Sequence, residues 1–97
     1  MDKMIYLSNL YEIYKGLFTE KQKLYFEEYY YNNLSLAEIA ENEQVSRNAV
    51  HSQLKIVEER LEELESILRI SNKKAKVLKF MQDKLKDKDK EYLESIL

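Results

Sequence analysis

The sequence predicts an all-α fold: a helix-turn-helix with a long fourth helix and a C-terminal helical tail. Three observations carry this. Of 97 residues none is proline and one, Gly16, is glycine, so long helices are the default. Two helix starts with the same grammar sit eleven residues apart, at Ser35 and Ser46. From Val50 to Leu68 the apolar residues recur at spacings 4, 3, 4, 3 and 4, the period of coiled-coil packing. Strands find no support, since turn dipeptides and sustained alternation of β-branched residues are both missing.

The first helix is expected from about Asp2 to Lys15, with Leu7, Tyr11, Tyr14 and Phe18 on one stripe and Leu10, Ile13 and Leu17 widening it. Gly16 is the natural residue to end it. Thr19 then caps a second helix, with Gln22 completing a capping box. That helix is expected to run to about Tyr31, presenting Leu24, Phe26, Tyr29 and Tyr30, and to stop at Asn32-Asn33.

Ser35 is an N-cap with Glu38 three residues on, and Leu34 and Ile39 are placed to form a hydrophobic staple. The short helix over 35–42 buries Ile39 and Ala40. At Ser46 the cap repeats, with Val45 and Val50 as staple, but Ala49 leaves the box open. Two capped starts joined by a tight turn make a helix-turn-helix, whose second helix conventionally enters the major groove.

The helix after Ser46 carries Val50, Leu54, Val57, Leu61, Leu64 and Leu68 over about five turns, with no stop before Ile70-Ser71-Asn72. Its far half overshoots a compact three-helix unit. Ala75, Leu78, Phe80, Met81 and Leu85 suggest a tail helix over 72–85, and Asp87 or Asp89 could cap a last short helix bearing Tyr92, Leu93, Ile96 and Leu97. Glu58, Glu59, Glu62, Glu63 and Glu65 crowd the far half of the long helix, and Lys73, Lys74, Lys76 and Lys79 offer the opposite charge. The expected organisation is therefore a domain over 1–70 and a Lys-rich tail over 71–97 that packs on the long helix.

Composition narrows the function. Cysteine is absent, which excludes disulfides, thiolate metal sites and Cys nucleophiles. The first five residues open no long apolar run, so neither signal peptide nor membrane insertion is expected, and a cytoplasmic location follows. Net charge is −2, which argues against a strong generic nucleic-acid binder. Residues 1–70 hold 8 Lys/Arg against 13 Asp/Glu, a balance of −5; residues 71–97 hold 8 against 5, a balance of +3.

Arg47, Asn48, His51, Ser52 and Lys55 are the outward positions of the second helix-turn-helix helix, and no acidic residue lies between Ser46 and Val57. Arg reads guanine edges, Asn reads adenine edges and Lys suits a phosphate. Lys73, Lys74 and Lys76 form a second basic run fit for structured RNA. The same positions equally suit a solvated face or a protein-docking surface, and Glu38, Glu41 and Glu43 lie where phosphates would approach. The eight tyrosines read mainly as core, with Tyr25 and Tyr31 as the exposed exceptions. His51, the only histidine, lacks a second strong metal ligand, and Ser46 with His51 at i and i+5 makes no catalytic pair. With no phosphate-cradling glycine loop and no carboxylate pair in an evident pocket, neither an enzyme, a cofactor nor a small-molecule substrate is expected.

The run Phe18-Thr19-Glu20-Lys21-Gln22-Lys23 through Leu54 resembles region 4 of bacterial sigma factors, which recognises a promoter element. From about Tyr6 to Leu68 the chain resembles the YlxM-like family of small bacterial proteins. Leu10, Tyr14, Leu17, Thr19, Lys21-Gln22, Tyr29-Tyr30, Leu34-Ser35-Leu36, Glu38-Ile39-Ala40, Val45-Ser46-Arg47 and Ala49-Val50 carry that likeness, with the acidic coil after Glu58. The resemblance implies a sigma-region-4-like helix-turn-helix. It also implies a regulatory role beside the signal recognition particle, with its GTPase or its RNA as partner, because the family's genes tend to lie next to those of the GTPases. DNA, through transcriptional regulation, and a second copy of this chain remain open as partners. The family usually carries Gln where this chain has Asn48 and Tyr where it has His51, a departure within the reading face.

Overall fold

The computed structural model describes residues 2–84 and Ser95; the expected last helix around Tyr92 and Leu93, and Leu85 of the tail, lie outside them. Among the described residues the chain is all-α. Five helices run in order: α1 (Lys3–Tyr14), α2 (Glu20–Tyr30), α3 (Leu36–Glu43), α4 (Arg47–Leu68) and α5 (Ile70–Lys84), with a 3₁₀ turn at Lys15–Leu17. The long α4 is the axis, and α1, α2 and α3 all pack on it.

Local chemistry sets each start. Asp2 accepts from the Met4 amide at 2.7 Å to begin α1. Thr19 and Gln22 close a reciprocal capping box on α2, as do Ser35 and Glu38 on α3. Ser46 accepts from the Ala49 amide at 3.0 Å and α4 follows. Each cap satisfies amides that the first helical turn leaves without a partner.

The ends are less expected. Gly16 does not terminate α1 in a left-handed conformation; it sits inside the 3₁₀ turn, and no glycine has positive φ. The left-handed positions are Asn33, Gln44 and Arg69. At Gln44, the Gln44 amide donates to the Glu41 carbonyl and the Val45 amide to the Ala40 carbonyl at 3.0 Å, the two bonds of a Schellman turn. That turn separates α3 from α4 and sets the angle of the helix-turn-helix.

The core runs from Leu7, Leu10, Tyr11 and Tyr14 of α1, through Phe18, Tyr25, Phe26, Ile39 and Ala40, to Val50, Leu54, Val57, Leu61 and Leu64 of α4. Rings stack at its centre, Tyr11 on Phe26 at 4.1 Å between centroids and Phe26 on Tyr30 at 4.2 Å, each such pair adding about 0.5–1.5 kcal/mol beyond its buried area. Tyr25 is buried, not exposed, because α2 buries a side broad enough to take in both Tyr25 and Phe26; Tyr31 is exposed as expected. Leu17 is also turned to solvent, since the 3₁₀ turn takes it off the α1 stripe.

Four tyrosine hydroxyls donate to carboxylates across helices: Tyr11 to Glu27 at 2.5 Å, Tyr14 to Glu65 at 2.7 Å, Tyr30 to Glu58, and Tyr31 to Glu12 at 2.5 Å. They tie α1 to α2, α1 to α4 and α2 to α4. An apolar ring in the core with a charged acceptor at its rim satisfies a group that would otherwise be costly to bury.

Among the described residues the far half of α4 is covered by α1, not by the tail helix. Leu61 and Leu64 are buried, while Leu68 is exposed and leaves the seam. Arg69 breaks the helix in a left-handed conformation, and α5 then makes its principal contact with α1. Glu65 of α4 accepts from the Ser71 amide at 3.2 Å and the Asn72 amide at 3.3 Å, so a carboxylate one turn back on α4 caps the start of α5. No ion pair joins the α5 lysines to the α4 glutamates among the described residues.

Candidate nucleic-acid interface

The candidate face stands at the N-terminal half of α4. Val50, Leu54 and Val57 point into the core, so the opposite side of the same turns must face water. Arg47, Asn48, His51, Ser52 and Lys55 are all exposed there. None has a side-chain hydrogen bond or ion pair with a described residue. Five polar side chains, two of them cationic, are thus presented together on a helix fixed at its start by the Ser46 cap and along its length by the core.

The structure adds neighbours that helical periodicity did not reveal. Tyr29 of α2 and Leu36 of α3 line an open groove of about 300 Å³ with His51, Leu54, Lys55 and Glu58. Glu58 closes the groove on the acidic side, where it accepts from the Tyr30 hydroxyl. Gln22 of α2 donates to Gln53 of α4 at 3.2 Å. Glu38 is turned to its own cap: it accepts from the Ser35 amide at 3.0 Å, which holds its carboxyl below the usual range. Glu41 and Glu43 are exposed beside the turn.

Lys73, Lys74 and Lys76 are exposed on α5 and do not join this face. Lys55 lies ten residues, about 15 Å of helix, before Glu65, which touches the start of α5. Glu58, Glu59, Glu62 and Glu63 fill the interval. The chain therefore carries two cationic regions divided by an acidic band. Among the described residues no cluster of His, Asp and Glu is arranged to hold a metal, and no helix is long and apolar enough to cross a membrane.

Residues 1–96 match a family model described as "UPF0122: Putative helix-turn-helix protein, YlxM / p13 like". The chain belongs to this family. The chain is 39% identical over its whole length to the UPF0122 protein FN1394 of Fusobacterium nucleatum, covering 94% of that protein. It is 40% identical over 87 residues to the UPF0122 protein YlxM of Bacillus subtilis, covering 90% of this chain and 78% of that one. A UPF0122 protein of Clostridium botulinum is 38% identical, across 96% of this chain and 92% of its own. The likeness spans α1 through α5, so the family frame includes the tail helix as well as the helix-turn-helix.

Proposed function

We propose that this protein is a regulatory nucleic-acid-binding protein that acts through its helix-turn-helix, with the RNA or the GTPase of the signal recognition particle as its partner. One observation supports the nucleic-acid part above all: Arg47, Asn48, His51, Ser52 and Lys55 stand exposed on one helix face, with no acidic residue between Ser46 and Val57 and no side-chain partner among the described residues. A helix seated this way fits a major groove or a structured RNA surface, with Lys55 at a phosphate and Arg47 and Asn48 at base edges. The particle enters through resemblance to the family.

A second reading has its own support. The acidic band on α4 and the exposed Glu41 and Glu43 favour a protein partner, for which the same helix-turn-helix serves as a docking frame. Affinity capture from lysate, with and without nuclease, separates the two. Nucleic-acid binding predicts that the particle's RNA is retained and that nuclease releases the remaining components. Direct retention of the GTPase after nuclease favours the protein-docking reading.

A further inference from the structure

The end of the molecule away from the exposed N-terminal face of α4 carries an apolar surface that the described residues leave uncovered. Ile67 and Leu68, closing α4, are 68% and 42% exposed; Ile70, Val77 and Phe80 of α5 are 42%, 39% and 57% exposed. The last three, at i, i+7 and i+10, form one stripe on α5, and the first two immediately precede the Arg69 break. Apolar residues scattered singly are ordinary on a surface, but a stripe of three on α5 with two more at the end of α4 marks an interaction site.

Charge indicates what covers it. Lys73, Lys74, Lys76 and Lys79 on α5 are exposed and form no ion pair with a described residue; Glu59 and Glu62 on α4 are likewise exposed and unpaired with any described cation. Among the described residues no ion pair joins these two surfaces within one chain. Lys76 and Glu62 line one open groove of about 810 Å³ together with Tyr6 and Asn9 of α1.

We infer that the α4–α5 elbow is a self-association surface whose occupant is a second copy of this chain. In a two-fold pair, the Lys-bearing α5 of each copy lies along the Glu-bearing far half of α4 in the other, with Ile67 and Phe80 enclosed between them. A two-fold interface brings residue i onto j and j onto i. Pairing α4 on α4 would set glutamate against glutamate, and α5 on α5 lysine against lysine; the crossed arrangement alone matches opposite charges at both contacts. Arg47 begins α4 some twenty residues, about 30 Å, from the elbow, so the reading face stays open in the pair.

Sedimentation of the full chain tests this through a charge exchange. Wild type is expected to form a concentration-dependent dimer. The Lys73→Glu/Lys76→Glu/Lys79→Glu variant and the Glu59→Lys/Glu62→Lys variant are each expected to dissociate at least about tenfold more readily, because like charges then face each other. Their equimolar mixture is expected to recover a heterodimer. Ile67→Asp, on a side chain outside the core, is expected to weaken the pair without touching the charged residues. Circular dichroism confirms that each variant is folded. The inference is overturned if folded wild type stays monomeric at about 1 mM, if neither charge set changes the dimer, or if the mixed variants stay apart.

Discussion

Removing the Glu65 carboxylate should loosen the tail from the body. Glu65 accepts from the Tyr14 hydroxyl at 2.7 Å and from the Ser71 and Asn72 amides at 3.2 and 3.3 Å. One side chain therefore joins α1, α4 and the first turn of α5. Losing a cap of this kind costs about 0.5–2 kcal/mol. Stranding the hydroxyl of the buried Tyr14 adds about 1–3 kcal/mol. The two effects share one group and do not simply add, so Glu65→Ala is expected to destabilise by about 2–3 kcal/mol, a fall of roughly 10 °C or more in Tm for a chain of this size. Tyr14→Phe removes only the hydroxyl and should cost about 1 kcal/mol. Chemical denaturation gives both values, and the double variant should fall short of their sum by about 0.5 kcal/mol or more. Hydrogen exchange localises the effect: the early amides of α5 should lose protection in Glu65→Ala and keep it in Tyr14→Phe. A Glu65→Ala chain within about 0.5 kcal/mol of wild type would place Glu65 among ordinary surface residues and refute the capping argument.

Three further outcomes are expected. Gln44→Gly should raise stability by about 0.5–1 kcal/mol, because Gln44 is left-handed at φ 57° and glycine relieves that conformation; a lower denaturation midpoint would mean that its side chain contributes to the turn. Ile39→Ala should cost about 2–4 kcal/mol through the cavity left between α3 and α4, as Ile39 is 1% exposed; a neutral result in the same assay would remove Ile39 from the core. Burial, followed by hydrogen bonds to carboxylates, raises the Tyr11, Tyr30 and Tyr31 hydroxyls above their ordinary value of 10. A raised folded-state value means the folded chain holds the proton more tightly. That stability is fully present below pH 10 and is lost as pH climbs beyond it. Denaturation midpoints should fall above pH 10, and less steeply in Tyr30→Phe; identical slopes would show that Tyr30 is not coupled to the fold.

Much of the fold was legible because capping chemistry is local. Thr19, Ser35 and Ser46 start helices where their neighbours in sequence require, and Val50, Leu54, Val57, Leu61 and Leu64 bury the seam their spacing describes. Stops were harder. Gln44 and Arg69 take conformations usually given to glycine, and their residue types announce no break. The tail was assigned to α4 from charge, yet α1 already covers Leu61 and Leu64, leaving α5 to find its place on α1. Tyr25 looked exposed because helical spacing on a short helix rich in aromatics allows more than one inner face. The partners of the tyrosine hydroxyls were out of reach for another reason: Tyr14 and Glu65 are fifty-one positions apart, and only the packing of α1 on α4 brings them together. At the candidate site, the outward positions followed from the buried ones, whereas Tyr29 and Leu36 entered the groove from other helices.

The central claim is that the exposed face of α4 binds nucleic acid, and a salt series of binding isotherms with the full chain tests it most directly. Structured RNA of the signal recognition particle and duplex DNA serve as ligands, beginning at low salt. Measurable affinity is expected with a shallow dependence, corresponding to about two to four neutralised phosphates, because the face offers few cations. Arg47→Ala should weaken binding by about 1–3 kcal/mol and more than Ser52→Ala, while Lys55→Ala should reduce the salt slope by about one. No affinity for either ligand at low salt, or affinity indifferent to Arg47 and Lys55, would contradict the claim.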